Sequence, residues 1–311
     1  MRSVFGKNLK LFMILIVLLC ALLGLVYQQF EPVRDFVDGL GIFPTTTNFT
    51  PTPPIDPNGE QMAVHYIDVG QGDATLFQTA LGSVLVDVGE KEYGDDVVEY
   101  LKSQGVTELE YLFITHPDSD HMGCAAYVMQ NIKVKRIVMN GQEKSAVFFE
   151  KALDEIEKQD IEAIIAAPGD VFKVGALTLT VYGPQRIDFS EAKWNNASLI
   201  IKAQYNLRSF LLTGDAEEDG EADLLNRYGV SALKCDVFQA GHHGSRTSNS
   251  LALLQTASPQ FVVVSSGAGN SYGHPHEEAL ANFAKVGATV LRTDERGTIV
   301  FITDGEELYI K

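Results

Sequence analysis

Four good metal ligands fall within six positions in His116-Pro117-Asp118-Ser119-Asp120-His121. Imidazoles mixed with carboxylates form the donor set that zinc, manganese or iron takes, and carboxylates this close repel one another unless a cation lies among them. Pro117 forces an extended or turning backbone, so the side chains of a short loop can converge on one point. A solvated polar loop is the plain alternative, and it leaves the crowding of charge without a cause. The apolar run Tyr111–Thr115 just before the loop predicts a buried strand, with the loop at its end.

Such a loop needs a scaffold, which the periodicity from Met62 onward supplies. Ala63–Asp68, Ala74–Thr79 and Ser83–Val88 are β-branched-rich runs separated by Gly-containing turns, and predict an antiparallel meander. Then helix and strand alternate: a helix over Asp95–Ser103, the strand Tyr111–Thr115, a helix over Gly123–Asn131, a strand at Arg136–Met139 and a helix over Ala146–Lys158. Hairpin-like β structure returns at Ala176–Tyr182, Ser198–Tyr205 and Ser209–Thr213, with Asn206-Leu207-Arg208 as a turn. Helices over Glu217–Tyr228, Leu251–Gln255 and Glu277–Lys285 follow, with strands at Val237–Ala240, Phe261–Ser265, Thr289–Arg292, Thr298–Ile302 and Glu307–Ile310. Meanders at both ends with helices between them predict a mixed α/β fold of two sheets packed face to face, helices outside. No repeat of fixed period is visible, which argues against solenoids and propellers.

The loop at 116–121 resembles the HxHxDH signature of the metallo-β-lactamase superfamily, with Asp118 where the second His usually stands. Thr213-Gly214-Asp215 resembles the family's strand-end Asp that bridges two metals, and Gly241-His242-His243-Gly244-Ser245 its later His motif. Asp68-Val69-Gly70-Gln71-Gly72-Asp73-Ala74 and Asp87-Val88-Gly89 look like the opening turns of the competence-protein branch, the ComEC-like hydrolases. Tyr272-Gly273-His274-Pro275-His276 resembles that branch's final loop. The resemblance covers about residues 63–303 and implies an αβ/βα four-layer sandwich with the active site along one edge between the sheets. It also implies two divalent ions, Mn²⁺ or Zn²⁺, held by His116, Asp118, Asp120, His121 and Asp215. Sequence does not choose between His242 and His243 as the remaining ligand, because consecutive residues leaving a strand point opposite ways.

The chain departs from the family pattern at two places. Asp118 replaces one imidazole, and Asn195-Asn196-Ala197-Ser198 occupies the stretch where the family has a further His. One metal position is therefore expected to be oxygen-rich, which brings harder ions such as Mn²⁺ or Mg²⁺ in beside Zn²⁺. The expected nucleophile is a water whose pKa the metals depress, oriented by Asp120. His274 is the candidate for protonating the leaving oxygen or holding a substrate phosphate. Ser245, Arg246 and Asn196 are candidate substrate contacts, against a reading of the first two as capping and surface residues. Trp194 is either a stacking platform for a base or a partly buried loop aromatic. His65 reads as an ordinary strand residue and Cys124 as a packed thiol.

The formal charge is −17, and nearly all of it lies beyond residue 60, since residues 1–60 set Arg2, Lys7, Lys10 and Arg34 against Glu31, Asp35, Asp38, Asp56 and Glu60. An acidic body argues against binding polyanions through a broad basic surface, although bound metals reverse the local field at a carboxylate-rich site. Cys20, Cys124 and Cys235 are too scattered for a disulfide framework. Leu11–Tyr27 is an uncharged apolar run after three basic residues, which predicts an uncleaved anchor within residues 1–30, its N-terminus cytoplasmic and the rest of the chain outside the cell membrane. Residues 31–60 read as a Pro/Thr-rich linker and 61–311 as the hydrolase domain. DNA is the leading expected substrate, with a separate transport channel as an expected partner, because a single candidate span makes no channel. Hydrolysis of another phosphoester such as cell-wall phosphocholine, or of a β-lactam, would use the same centre. A degenerate site that tethers DNA without cutting it is the non-enzymatic alternative.

Overall fold

Alternation of inward and outward apolar residues builds two sheets in this protein, whose computed structural model describes residues 61–185 and 194–311. The strands are β1 (Met62–Tyr66), β2 (Thr75–Thr79), β3 (Gly82–Val86), β4 (Glu108–Leu109), β5 (Tyr111–Phe113), β6 (Lys133–Val134), β7 (Arg136–Met139), β8 (Glu162–Ile165) and β9 (Val171–Val174) in the first part of the chain. They continue as β10 (Leu177–Gly183), β11 (Ile200–Tyr205), β12 (Arg208–Leu212), β13 (Val237–Gln239), β14 (Phe261–Val264), β15 (Thr289–Arg292), β16 (Ile299–Thr303) and β17 (Leu308–Ile310). One sheet has the order β17-β16-β1-β2-β3-β5-β7-β8 and the other β15-β14-β13-β12-β11-β10-β9; β4 and β6 form a small separate pair.

The pleat sends successive side chains to opposite faces, and the burial follows it. Val84 and Val86 of β3 join Phe210 and Leu212 of β12 in the core between the sheets, whereas Leu85 packs under one helical layer and Leu211 under the other. Phe77 on β2 and Phe210 on β12 meet edge to face at 6.0 Å across that core. Helices Gly94–Ser103, Ala125–Asn131 and Val147–Lys158 place Val97, Leu101, Val128 and Ile156 on the outer face of the first sheet. Glu218–Arg227, Leu251–Ala257 and Glu277–Lys285 cover the second with Leu224, Leu253, Leu254 and Phe283. The result is the expected four-layer αβ/βα sandwich.

Some details differ from the sequence reading. The β11–β12 turn has two residues, Asn206 and Leu207, because Tyr205 pairs directly with Arg208 and Asn206 accepts a left-handed backbone at φ 52°. The edge strands β8 and β9 and the short pair β4 and β6 add to the expected set; β9 alternates exposed and buried residues, whereas β8 is exposed or half-exposed throughout. The anchor and linker expected within residues 1–60 lie outside the described residues, among which no helix is long and apolar enough to cross a membrane. His65 lies buried on β1 with Nδ1 2.8 Å from the Tyr100 hydroxyl, an ordinary strand residue as expected.

Parallel pairing decides where the chemistry goes. β3, β5 and β7 run parallel in one sheet, and β12, β13 and β14 in the other. Their C-terminal ends deliver Asp87, His116, Asp215, His242 and Ser265 to one edge, the end of a parallel sheet where binding sites form.

Candidate metal centre

The loop after β5 is pinned from the neighbouring strand end. Asp87, just beyond β3, accepts the Thr115 N–H on Oδ1 and the Thr115 hydroxyl on Oδ2, each at 2.7 Å. Beyond it, Ser119–Met122 forms a single helical turn that carries Asp120 and His121. Asp73 donates its N–H to the Asp120 carbonyl at 3.0 Å. Gly72 permits this approach: at φ 152°, a Cβ there would lie 2.5 Å from that same carbonyl oxygen.

Asp215 follows β12 and is buried, and histidines face both of its oxygens. On the Oδ1 side lie His121 Nε2 at 3.1 Å and His243 Nε2 at 3.8 Å, with Asp120 Oδ2 a further 3.1 Å from His243 Nε2. On the Oδ2 side lie His242 Nε2 at 3.5 Å and His116 Nε2 at 3.8 Å, with Asp118 Oδ2 at 3.7 Å from His116 Nε2. Each side thus offers two imidazoles, one carboxylate of its own and one oxygen of Asp215. His116 Nε2, His121 Nε2 and Asp215 Oδ1 are buried without a hydrogen bond, which is costly unless a cation satisfies them. The donors present fit divalent ions.

Both consecutive histidines reach the centre. His242 and His243 take left-handed backbone angles, φ 49° and 55°, so the chain curls instead of alternating as a strand would, and both rings face Asp215. Acceptors behind the rings fix their orientation. His121 Nδ1 meets Asp87 Oδ2 at 2.8 Å, His243 Nδ1 meets the Ser265 carbonyl at 3.1 Å, and His242 Nδ1 faces Glu217 at 3.6 Å. Since these partners accept, each Nδ1 carries the proton and leaves the Nε2 lone pair for a metal.

Asp73, His121, Asp215 and His243 also bring one donor atom each within 4.8 Å of one another. Asp73 faces the Nδ1 atoms of His243, at 3.5 Å, and His121, at 4.0 Å, and its carboxylate lies within 4.8 Å of that of Asp215. It is thus a further buried carboxylate of the cluster, set beside the Nδ1 edges of the two rings. Asp73 and Asp87 stand in the opening turns without a role apparent from sequence; the signal for each is an acid at the end of a buried turn or strand.

Charge distribution tells the same story. Burial lowers the pKa of His121, yet Asp215, Asp87 and Asp120 outweigh it and raise the imidazole well above 6.5. His243 is likewise raised against burial by Asp215, Asp73 and Asp120. Asp215 is held well below the carboxylate range, against burial, by His121, His243 and His116. In metal-free protein, protonated His121 and His243 would supply the positive charge among these carboxylates. Their stabilisation is complete below the unfolded value of about 6.5 and is lost as pH rises through their raised values. We expect the melting temperature of metal-free protein to fall as pH rises above about 6.5, and Mn²⁺ binding to release protons, seen as a calorimetric enthalpy that depends on buffer ionisation. A metal-free melting temperature that climbs over this window would contradict the assignment.

Against this geometry, the sequence model of the metallo-beta-lactamase superfamily matches residues 67–267. The chain belongs to that superfamily. It is 33% identical over 256 residues to "ComE operon protein 3" of Bacillus subtilis (strain 168), covering 76% of this chain and 32% of that protein. It is 30% identical over 243 residues to "Competence protein ComA" of Neisseria gonorrhoeae, covering 78% and 32%. The chain therefore spans about a third of the length of these curated relatives. Among solved structures, the metallo-beta-lactamase fold protein YhfI from Bacillus subtilis matches with a TM-score of 0.53 at 14% identity, covering 78% of this chain and 99% of that one, a likeness of fold.

This superfamily member fills the missing His of the 195–198 stretch in its own way. Asn196 does not face the centre: its Oδ1 accepts the Glu217 and Gly220 N–H groups at 3.0 and 2.8 Å, capping the start of helix Glu218–Arg227. His242 supplies an imidazole on that side instead, so the side containing Asp118 is less oxygen-rich than the sequence reading expects.

A cavity of about 210 Å³ opens over the centre, lined by Gln71, Glu90, Asp118, Lys144, Tyr272 and His274 among others. His274 faces it as expected. Burial, with His243, His242 and His276 nearby, pushes its pKa down to about 4, so at neutral pH it is uncharged. Gln71 Nε2 lies 3.4 Å from His274 Nδ1, which assigns Nδ1 as acceptor and Nε2 as the N–H donor. Its chemistry is that of a neutral hydrogen-bond donor, narrower than the expected proton donor.

The structure corrects two of the substrate contacts expected beside Asn196. Ser245 is buried and pairs with Thr247, while Arg246 lies at the surface with its guanidinium 3.3 Å from Glu278, because the His276 ring holds its backbone N–H. Neither lines the cavity. Trp194 also lies outside it, its carbonyl accepting from Gln142; the aromatic at the rim is Tyr272, 65% exposed and stacked 5.6 Å from His274. Cys124 is a buried thiol donating to the Val88 carbonyl.

Proposed function

We propose that the chain is a metal-dependent phosphodiesterase that cleaves DNA on the outer side of a membrane, to which Leu11–Tyr27 anchors it. The observation that carries this reading is the pair of donor groups on the two oxygens of Asp215, which suits two divalent ions holding the attacking and leaving oxygens of an in-line displacement. Competence proteins among the relatives favour nucleic acid over other esters.

In this reading, His116, Asp118 and His242 would hold one ion and Asp120, His121 and His243 a second, with Asp215 facing both groups. Divalent ions held there would supply Lewis acidity and an activated water. Asp120 orients the nucleophile from beside His243. His274, neutral and fixed by Gln71, donates a hydrogen bond to a phosphate oxygen or the departing oxygen. Tyr272 offers an exposed ring at the rim on which a base can stack.

Metal-free full-length protein would be reconstituted ion by ion and given DNA, a chromogenic phosphodiester and a chromogenic β-lactam. The expected outcome is turnover of DNA and the diester with Mn²⁺, while the β-lactam is spared. Binding of DNA without cleavage under any divalent ion would replace the enzyme with a tether. Preferred turnover of the β-lactam would move the substrate class.

A further inference from the structure

Four carboxylates, Glu90, Asp118, Asp120 and Asp215, face the cavity above the centre, and Lys144 is its one lysine or arginine among the described residues. An anionic substrate entering this cavity meets repulsion that the bound ions offset only at the reacting phosphoryl group. Lys144 belongs to no motif. Its Nζ is bonded to Asp118 Oδ1, while Asp118 Oδ2 faces His116.

Lys144 is not a loosely placed surface cation. The loop that carries it is tied down by two buried amides: Asn140 Nδ2 donates to the Ala197 carbonyl at 2.8 Å, and Gln142 Nε2 to the Trp194 carbonyl at 3.1 Å. Asn140 Oδ1 also accepts the Gln142 N–H at 3.0 Å, closing the turn. The lysine side chain is 33% exposed, so its head group is open to the cavity as well as to Asp118. An ammonium has three donors; Asp118 takes one and leaves the others for a ligand.

Building on the phosphodiesterase reading, we infer that Lys144 recognises substrate, bridging Asp118 and a non-bridging oxygen of the bound phosphodiester. The pairing has a second consequence. The lysine charge offsets the carboxylate that stands in the family's His position, so Asp118 with Lys144 presents a metal with about the charge of a neutral imidazole. The site thereby gains a phosphate clamp at the position where it lost a nitrogen ligand.

The test uses Mn²⁺-loaded full-length protein, with inorganic phosphate as the binding probe and a chromogenic phosphodiester as substrate. Lys144→Gln should keep its metal content by mass spectrometry, weaken phosphate binding in calorimetry and raise KM for the diester, each on the order of 10-fold or more. Lys144→Arg should recover most of the loss, since it keeps the charge. Unchanged phosphate affinity and KM in Lys144→Gln would overturn the inference, as would loss of metal as the whole effect, which would reduce Lys144 to a support for Asp118. Wild-type protein that binds phosphate through Lys144 but turns over no diester would instead defeat the phosphodiesterase reading and leave the clamp standing.

Discussion

Asp215→Ala should lower phosphodiester turnover by on the order of 10³-fold, because the several kcal/mol of charge stabilisation that metals provide depends on the carboxylate shared between them. Each oxygen of Asp215 faces its own pair of histidines, so its removal disturbs both sides at once. Asp120→Ala should match that loss in turnover, since Asp120 lies beside His243 alone on one side and is placed to orient the nucleophile. His65→Ala supplies the contrast: His65, on β1, is as buried as Asp215 but bonds Tyr100 of helix Gly94–Ser103, so the change should cost stability and spare the chemistry. Steady-state kinetics on the three variants with thermal melts would check this. Asp215→Ala retaining wild-type turnover would remove the basis for a shared carboxylate.

Asp87→Asn should weaken metal binding by about 10- to 100-fold while leaving the fold nearly intact. Asp87 accepts from Thr115 on one oxygen and from His121 Nδ1 on the other, so both oxygens must accept. An asparagine has one oxygen. If it serves the Thr115 N–H, its amide confronts His121 Nδ1 and drives that proton to Nε2, closing the nitrogen that faces Asp215; turned over, it leaves the Thr115 N–H against a donor. Metal titration followed by calorimetry measures the effect, and unchanged affinity would show that the His121 tautomer is set by something other than Asp87.

The parts of this centre that were legible in sequence are the local ones. His116, Asp118, Asp120 and His121 stand in one six-residue loop, and a strand pattern leads into it. Asp215 was legible through a resemblance to a strand-end motif. The two histidines at 242 and 243 defeated strand logic because both residues adopt left-handed backbone angles, which no alternation rule anticipates. Asp87 lies 34 residues from His121 and Lys144 lies 26 from Asp118, so their roles arise only when parallel strands and a pinned loop bring them together. Arg246 reads as a phosphate contact from its place after the double His, but a backbone bond to His276 leaves it on the surface beside Glu278. Asn196 reads as a site residue and serves as a helix cap. In the fold, continuous apolar, β-branched-rich runs mark the central strands, whereas the edge strand β9 alternates exposed and buried residues over only four positions and β8 leaves most of its four residues exposed.

The central claim is that Asp215 joins two metal positions, and metal stoichiometry tests it without reference to any substrate. Metal-free wild-type protein titrated with Mn²⁺ should bind two equivalents per chain, and Asp215→Ala should lose at least one of them under the same conditions. A wild-type chain that saturates at a single ion, with Asp215→Ala binding that ion equally well, would contradict the account.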